Sequence, residues 1–374
     1  MAMAGRRVLV WDLVSHGHHE RYLRALVAGA PDGVEMTLPH WTPPDISDSL
    51  AEAEILDPPA HADEWRSFSD AVTQVQPDVV VSLLAHQFVR WVATRRLRPF
   101  GLVALDLLDH HGLLGNPRAY RHALRPRLVG GAVAGWLSRE AVVRRRPARF
   151  LSLNGWTTRV GTRRLRDCTI ALPDPLEHLP LPPPHPHREP SAATTITIAG
   201  LMSERKGLDL LVAALEQLAA RQRVHPSDIE VVIAGQCLPE FASRFRELVG
   251  RLERLGVGVN VADRYVTVEE FGAIFAATDV LVLPYRSHLG SSGLLGSAFD
   301  VPGITVVCSD FGWLGYVAGA AGAVLFHDLS ASDLALALER ALKERPPLVP
   351  AADAIGFAEP EEFARQLWEA VASV

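Results

Sequence analysis

The chain has 374 residues, of which 48% are hydrophobic and 21% are charged, and its formal net charge is -6. These values predict a globular protein of two domains and argue against a general nucleic-acid binder, which is usually basic. No apolar run reaches the roughly 20 residues that cross a bilayer, and residues 1–7 lack the features of a secretory signal, so we expect a cytoplasmic protein whose three scattered cysteines are free thiols.

Short apolar runs alternate with amphipathic segments through the first half of the chain. The runs predict strands at residues 8–11, 34–38, 78–84, 101–107, 150–153 and 169–172, and helices are predicted at 20–28 and 70–75. Because these strands are apolar throughout, they are typical of a parallel sheet that helices cover on both faces. The first predicted domain comprises residues 1–171.

Proline dominates the next segment, and the alternation restarts after it. Eight prolines lie between Pro173 and Pro190, so residues 172–194 are predicted to be an extended linker. Strands are then predicted at 195–199, 229–234, 257–262, 280–283, 304–308 and 323–326, with helices at 207–222 and 239–255. The predicted fold class is α/β, with two Rossmann-like doubly wound domains (1–171 and 195–350) facing a cleft. A helix in the last segment, 351–374, is expected to pack back toward the first domain.

One stretch of the first domain is unusually rich in arginine. Between Arg118 and Arg166 the chain carries thirteen arginines and one acid, Glu140. Such a cluster in an acidic protein can face anionic lipid, a phosphorylated acceptor or a protein partner. Peripheral membrane contact through residues 118–166 is therefore one prediction, and a solvated helix face is its alternative.

The first loop of the second domain predicts an anion site. Gly200 follows a predicted strand, and Arg205 and Lys206 stand just before a helix. Cations at a helix N-terminus oppose the helix dipole, unless an anion such as a diphosphate lies beside them. The alternative is a pair of solvated charges at the tip of a loop.

A second small-residue loop follows the strand at 280–283. Gly290, Ser291, Ser292 and Gly293 permit close approach of backbone amides to a ligand, and a serine can cap the next helix. These four residues are predicted to bind the donor diphosphate together with Gly200, Arg205 and Lys206. An ordinary serine N-cap is the alternative.

Residues 195–345 resemble the nucleotide-binding domain of family 4 glycosyltransferases, which have the B-type (GT-B) fold. The likeness rests on Lys206–Asp209, Val231–Gly235, Thr278–Pro284 and Ile304–Gly312, in the family's order. It implies transfer of a sugar from a nucleoside diphosphate sugar to a hydroxyl acceptor with retention of anomeric configuration. The donor would be a co-substrate and no other cofactor is expected, and no metal is required if the cations and helix ends hold the diphosphate.

The resemblance also assigns residues around the nucleotide. Tyr265 would stack on the base, and the backbone of Val266 would read the edge of the base. The family usually has two glutamates flanking the glycine-rich loop, and here Leu289 and Ser297 occupy those positions, with Ser297 near the ribose. This Ser-Ser-Gly variant occurs in a subset of relatives. Leu201 replaces the usual arginine, a charge that Arg205 can supply.

Histidines mark two loops of the first domain. His16, Gly17, His18 and His19 follow the first strand, on the acceptor side of the resembling enzymes. In inverting family 1 transferases a first-loop histidine is the base, a role open to His18 or His16, because imidazole titrates near neutral pH. Their clustering also allows a metal site, which we do not predict. In retaining relatives a later histidine contacts the donor sugar, and here His110 and His111 are the candidates.

Four functions remain open from the sequence. The first is the retaining transferase, with His110, His111 and His18 as candidate catalytic residues, and the second is an inverting one. A third is a catalytically degenerate partner subunit that binds a nucleotide or glycan, since the acidic pair is missing, and a fourth is an epimerase or phosphorylase of this fold. The acceptor is unidentified: a small natural product, a lipid-linked sugar or a glycan.

Overall fold

The computed structural model describes residues 3–13, 19–48, 53–56, 63–83, 85–95, 97–106, 112–118, 126–176, 178–182, 193–286, 288–327, 329–349 and 356–374. The chain forms two compact units. The first comprises Met1–Leu176, Leu289–Ser291 and Gly356–Val374, and the second comprises Glu177–His288 and Ser292–Ile355. The two units are each built on one parallel sheet, so the predicted fold class of two Rossmann-like α/β domains is confirmed.

The first unit is built from strands and helices in alternation. Its strands are β1 (Arg7–Trp11), β2 (Glu35–Leu38), β3 (Ala53–Ile55), β4 (Val79–Ser82), β5 (Gly101–Asp106), β6 (Ala148–Ser152), β7 (Thr169–Ala171) and β8 (Asp174–Pro175). Its helices are α1 (His19–Ala28), α2 (Pro44–Ser47), α3 (Glu64–Val75), α4 (Ala85–Thr94), α5 (Gly112–Gly115), α6 (Pro126–Arg145) and α7 (Arg163–Asp167). In the described part of this unit, seven strands pair in the order β3-β2-β1-β4-β5-β6-β7.

The central strand β1 shows why the sheet forms. Val8, Leu9 and Val10 are completely buried. Val8 and Val10 pack in a cluster with residues of α1, whereas Leu9 packs on the other face with residues of α3 and α4. Both faces are therefore covered, which is why β1 is apolar from Val8 to Trp11 rather than alternating.

The second unit repeats the same design. Its strands are β9 (Thr194–Ala199), β10 (Ile229–Ala234), β11 (Gly258–Ala262), β12 (Val280–Leu283), β13 (Thr305–Ser309) and β14 (Val324–Phe326). Its helices are α8 (Leu208–Ala220), α9 (Ala242–Leu255), α10 (Val268–Ala276), α11 (Gly293–Ala298), α12 (Gly312–Ala320) and α13 (Ala331–Glu344). Its described strands pair in the order β11-β10-β9-β12-β13-β14. The chain leaves β9 in one direction and β12 in the other, so the switch point of the sheet lies between these two strands.

The chain then returns to the first unit. Strand β15 (Phe357–Ala358) pairs in parallel with β8, and helix α14 (Pro360–Ala372) follows. Trp368 of α14 donates its Nε1–H to the Leu26 carbonyl of α1 at 2.8 Å, and Ala364 packs against Gly29. These contacts anchor the last helix on α1.

The structure differs from the sequence prediction in a few elements. Residues of the predicted linker form β8, because β15 offers them a partner that the local sequence does not reveal. Strand β3 was not predicted, since its three residues, Ala53–Ile55, form no apolar run. The cysteines are free as expected, and burial raises the pKa of the Cys308 thiol. None of the described helices has the length and apolar character of a membrane span.

Candidate active site

The loop that follows β9 is held in place by its neighbours. The Met202 N–H donates to the Gln236 carbonyl at 2.8 Å, and the Leu238 N–H donates back to the Met202 carbonyl at 3.0 Å. On the other side, the Arg286 N–H donates to the Arg205 carbonyl at 2.8 Å. The loop thus joins the segments that follow β10 and β12, so its side chains start from a fixed backbone at the switch point of the sheet.

Two glycines make this close packing possible. Gly207 has φ +73°, and a Cβ on it would lie 2.0 Å from the Pro284 carbonyl oxygen. Gly200 has φ +95°, and a Cβ on it would lie 2.7 Å from Lys206 Nζ. Only glycine combines a left-handed backbone with the absence of a side chain, so both positions require it. The ammonium group of Lys206 consequently packs directly over the Gly200 backbone.

Lys206 is a buried cation without an acidic partner among the residues that the structure describes. Lys206 is 6% exposed, and its Nζ donates a hydrogen bond to the Tyr285 hydroxyl at 2.7 Å. Nζ also lies 4.3 Å from the centroid of the Tyr285 ring. No ion pair joins Lys206 to a carboxylate of the described chain. Burial of a charge without a counter-charge is costly, which favours an anionic ligand at this position.

Arg205 extends the positive charge toward solvent. Its Nη1 lies 2.6 Å from His288 Nδ1. Because a guanidinium can only donate, Nδ1 accepts and the imidazole proton is on Nε2 in this geometry. Arg286, the third cation of these loops, instead forms an ion pair with Asp209 at 2.7 Å. No acid of the described chain therefore neutralises Arg205 or Lys206, whereas Asp209 neutralises Arg286.

Sequence reasoning missed the two residues that position these cations. Tyr285 and His288 lie in the loop after β12, and their rings meet edge to face with centroids 5.1 Å apart. They could have been predicted from their position after β12, because β12 lies next to β9 and the loops at the carboxyl ends of neighbouring strands lie close together.

The turn between β11 and α10 presents Tyr265. This residue is 77% exposed, whereas Val266 is buried. Arg264 pairs with both carboxylate oxygens of Glu270 at 2.6 and 2.7 Å, and Thr267 forms a capping box with Glu270. The hydrogen bonds from Arg264 and then from the Thr267 backbone lower the pKa of Glu270 to about 2. The turn is thus held by charge-assisted bonds, and the Tyr265 ring is available for stacking.

The serine at the start of α11 does not cap it as predicted. Ser292 occupies the N-cap position with an extended backbone, but its side chain makes no capping hydrogen bond. Its main-chain carbonyl instead accepts from Leu295 and Gly296 at 3.0 and 3.2 Å. The helix has six residues and begins at Gly293, so its dipole is short and the cations of the β9 loop are the stronger anion-binding feature.

The remaining residues of the glycine-rich loop divide between the two units. Leu289, Gly290 and Ser291 belong to the first unit, in which the Asn154 side-chain amide donates to the Leu289 carbonyl at 3.4 Å. Ser297 belongs to the second unit and is buried in α11. Leu289 is also buried, so the two positions at which relatives carry glutamates hold packed, uncharged side chains.

The first unit contains one described histidine of the predicted set. His19 is the first residue of α1 and is 8% exposed, and its Nδ1 lies 2.5 Å from Oδ2 of the buried Asp12. The Trp41 indole N–H donates to the Asp12 carbonyl at 3.0 Å. A carboxylate on Nδ1 fixes the orientation of an imidazole and leaves Nε2 for chemistry.

His19 was predicted for the acceptor-side loop, and it is the first residue of α1, where its ring hydrogen-bonds Asp12, the residue after β1. Five other predicted site residues lie outside the described residues: His16, Gly17, His18, His110 and His111.

Comparison with known proteins finds a family match within the second domain and structural matches for the whole chain. Residues 193–344 match the family described as glycosyl transferases group 1. No curated protein matches the chain in sequence. Among solved structures, HepE of Anabaena in complex with UDP and glucose is 13% identical with a TM-score of 0.67, and the match covers 99% of this chain and 100% of that one. Sucrose-phosphate synthase of Thermosynechococcus elongatus is 17% identical with a TM-score of 0.62, covering 98% and 96%.

The structural likeness confirms the predicted fold, and the family match confirms the predicted enzyme class. The chain has the GT-B architecture, and residues 193–344, which include Arg205 and Lys206, match a glycosyltransferase family.

Proposed function

We propose that this glycosyltransferase moves a sugar from a nucleoside diphosphate sugar to a hydroxyl acceptor, with retention of anomeric configuration and without a metal ion. The observation that carries the proposal is the unneutralised cation pair, Lys206 and Arg205, on a rigid loop at the switch point of the sheet. The HepE structures that this fold resembles hold UDP and UDP-glucose, which supports a nucleotide sugar as the donor here.

The two cations suit the charge that develops during transfer. As the bond between the anomeric carbon and the diphosphate breaks, negative charge accumulates on the leaving phosphate oxygens. Lys206, held by Tyr285, and Arg205, held by His288, are oriented before the reaction, so they stabilise this charge without reorganising. Two protein cations supply the positive charge that a metal provides elsewhere, which supports transfer without a metal.

Other residues are proposed for the rest of the donor and for the acceptor. We propose Tyr265, which is exposed, for stacking on the base, with Val266 and Ser297 as further contacts to base and ribose. His110 and His111 are proposed contacts of the donor sugar, and His16, Gly17, His18 and His19 are proposed for the acceptor side. The acceptor classes that we propose are small natural products, lipid-linked sugars and glycans.

A panel of nucleoside diphosphates tests the donor site. We expect one diphosphate, present at about 100 times its Kd, to raise the Tm of the protein by about 3–4 °C, because ligand binding stabilises the native state by about 2.7 kcal/mol at that ratio. The rise should be the same with EDTA, since no metal is needed. If no diphosphate raises the Tm at millimolar concentration, the donor site is wrong. If one binds but its sugar donor is never turned over, the protein is the catalytically degenerate partner subunit.

The His19–Asp12 pair favours a second candidate, transfer with inversion. In that reaction a base removes the acceptor proton as the hydroxyl attacks the anomeric carbon, and an imidazole held by a buried carboxylate is suited to this step. His18 and His16 are the bases that the sequence predicts for an inverting enzyme, and we propose His19, with its Asp12 partner, as a further candidate.

The anomeric configuration of the product separates the two candidates. For the retaining enzyme, NMR of the product shows the donor configuration, and His19→Ala lowers kcat by less than about tenfold. For the inverting enzyme, the configuration is reversed and His19→Ala lowers kcat by about 10²–10⁴-fold, the usual contribution of general base catalysis. The control is His225→Ala, which removes an exposed histidine of the second unit and should leave kcat unchanged.

A further inference from the structure

Seven arginines form one surface of the first unit, which we call the arginine face. They are Arg98, Arg144, Arg145, Arg146, Arg163, Arg164 and Arg166. The segments that carry them, residues 97–100, 143–149 and 159–168, contain one acid, Asp167. Asp167 is exposed and pairs with Arg163 at 3.8 Å, so the side-chain charges of these three segments are almost entirely of one sign. The protein as a whole has the opposite sign, with a net charge of -6.

Contacts between α4 and α6 bring two of these segments together. Arg145 Nη1 donates to the Ala93 carbonyl at 2.5 Å, which ties the end of α6 to the end of α4. The Arg146 guanidinium carbon lies 4.4 Å from the centroid of the Phe100 ring, two residues after Arg98. The last turn of α6 and the segment before β5 therefore share one surface.

A buried carboxylate joins the third segment to the same surface. Glu140 in α6 accepts from the Thr162 N–H at 2.7 Å and from the Thr162 hydroxyl at 2.9 Å. Helix α7, with its three arginines, begins at the next residue and packs against α6. Arg144 lies one turn after Glu140, so the arginines of α6 and α7 are neighbours.

The position of the arginine face argues against a role in substrate binding. Arg98 precedes β5, which begins at Gly101, and Arg146 precedes β6, which begins at Ala148. These arginines thus lie at the amino ends of the parallel strands. Ligands of such sheets bind beyond the carboxyl ends, at the other edge. A phosphorylated acceptor is therefore not the partner that this surface fits.

Repulsion between the crowded arginines favours binding of anions to this surface. Burial lowers the pKa of Arg146, and the neighbouring Arg145 charge lowers it further. The Nε and Nη1 atoms of Arg146 are buried without a hydrogen-bond acceptor in the described chain. An array of anionic groups against the face would relieve this repulsion.

The outer side of α6 points to lipid as the source of those anions. Leu137 is 54% exposed, and Gly130, Gly131 and Ala134 are exposed before it. This uncharged, partly apolar strip leads along the helix to Arg144. A basic end combined with an exposed apolar side is typical of helices that lie at a membrane surface, whereas nucleic acid would gain little from Leu137.

We propose that the arginine face and the outer side of α6 around Leu137 dock this protein on membranes that contain anionic lipid. The head groups contact the arginines, and Leu137 enters the boundary between head groups and acyl chains. Docking of this kind uses the surface of the first unit and is independent of the nucleotide site in the second.

Vesicle co-sedimentation of the full chain tests the proposal. We expect binding to vesicles of phosphatidylcholine with phosphatidylglycerol and none to pure phosphatidylcholine. Binding should weaken strongly between about 0.1 M and 1 M salt, because the screening length falls from about 10 Å to about 3 Å. Leu137→Gln should weaken the binding that remains at high salt.

Matched charge variants locate the surface. The combination of Arg98→Gln, Arg144→Gln and Arg164→Gln removes exposed arginines and should weaken vesicle binding by about 100-fold, at about fivefold per arginine. The combination of Arg221→Gln, Arg246→Gln and Arg254→Gln removes the same charge from the second unit and should leave binding unchanged. Equal loss in both variants, equal binding to uncharged vesicles, or binding to duplex DNA in place of vesicles would overturn the proposal.

Discussion

Replacing Lys206 with methionine should lower the affinity for the selected nucleoside diphosphate by about 30-fold or more, because loss of one partner of a buried charge pair costs about 2–5 kcal/mol. The Tm rise produced by the diphosphate should then be nearly lost. The ligand-free variant should be at least as stable as the native protein. The buried ammonium has no acidic partner in the described chain, and methionine fills its space without a charge to desolvate.

The test is specific because Lys206→Met should lower nucleotide affinity without lowering the stability of the ligand-free protein. A lysine that served only the fold would leave a less stable variant when replaced, whereas a lysine kept for an anion leaves a stable variant that no longer binds it. The control is Lys343→Met, which removes an exposed lysine that pairs with Glu339 at 2.5 Å and should not change nucleotide affinity. Undiminished diphosphate binding in Lys206→Met would contradict the proposed donor site.

Replacing Gly207 with alanine should lower the free energy of unfolding by about 2–5 kcal/mol. A residue with a Cβ in the left-handed conformation costs about 1–2 kcal/mol, and the overpacking of the new methyl group costs about 1–3 kcal/mol more. The new Cβ would lie 2.0 Å from the Pro284 carbonyl oxygen, a backbone atom that cannot move without shifting the loop that carries Tyr285. Nucleotide affinity should therefore fall together with stability.

Gly303→Ala isolates the cost of the backbone conformation. Gly303 has φ +77°, close to the +73° of Gly207, but a Cβ on it would meet nothing within 4 Å. This control should lower stability by about 1–2 kcal/mol only, with nucleotide binding unchanged. Urea unfolding of both variants gives the comparison, and equal losses would show that the contact with Pro284 does not matter.

The fold was predictable because its signals are local. Strands such as Val280–Leu283 are continuous apolar runs bounded by helices, and a parallel sheet covered on both faces is the arrangement that buries them. The order of elements then implies which strand ends are neighbours. The loop with Arg205 and Lys206 was predicted as an anion site because these two cations stand just before a helix. The short strands β3, β8 and β15 were missed, because a strand of two or three residues is stabilised by its partner and not by its own composition.

The tertiary structure alone decided which cations of the candidate site are paired with an acid. The sequence places Arg205, Lys206 and Arg286 in two loops and does not say which of them is neutralised. Folding pairs Arg286 with Asp209 and sets Lys206 against Tyr285, 79 residues away in the chain. Such pairings depend on the register between neighbouring strands and on the glycines that let the loops meet.

The same distinction holds for the histidines and the arginines of the first unit. The sequence by itself determined that a histidine follows β1 and that arginines crowd residues 118–166. Tertiary structure decided that Asp12 orients His19, and that Arg98 and Arg144 lie at the amino-terminal edge of the sheet. Composition and periodicity report which residues a segment carries and whether it is buried. The partner of a side chain and the edge of the sheet at which it lies follow only from packing in three dimensions.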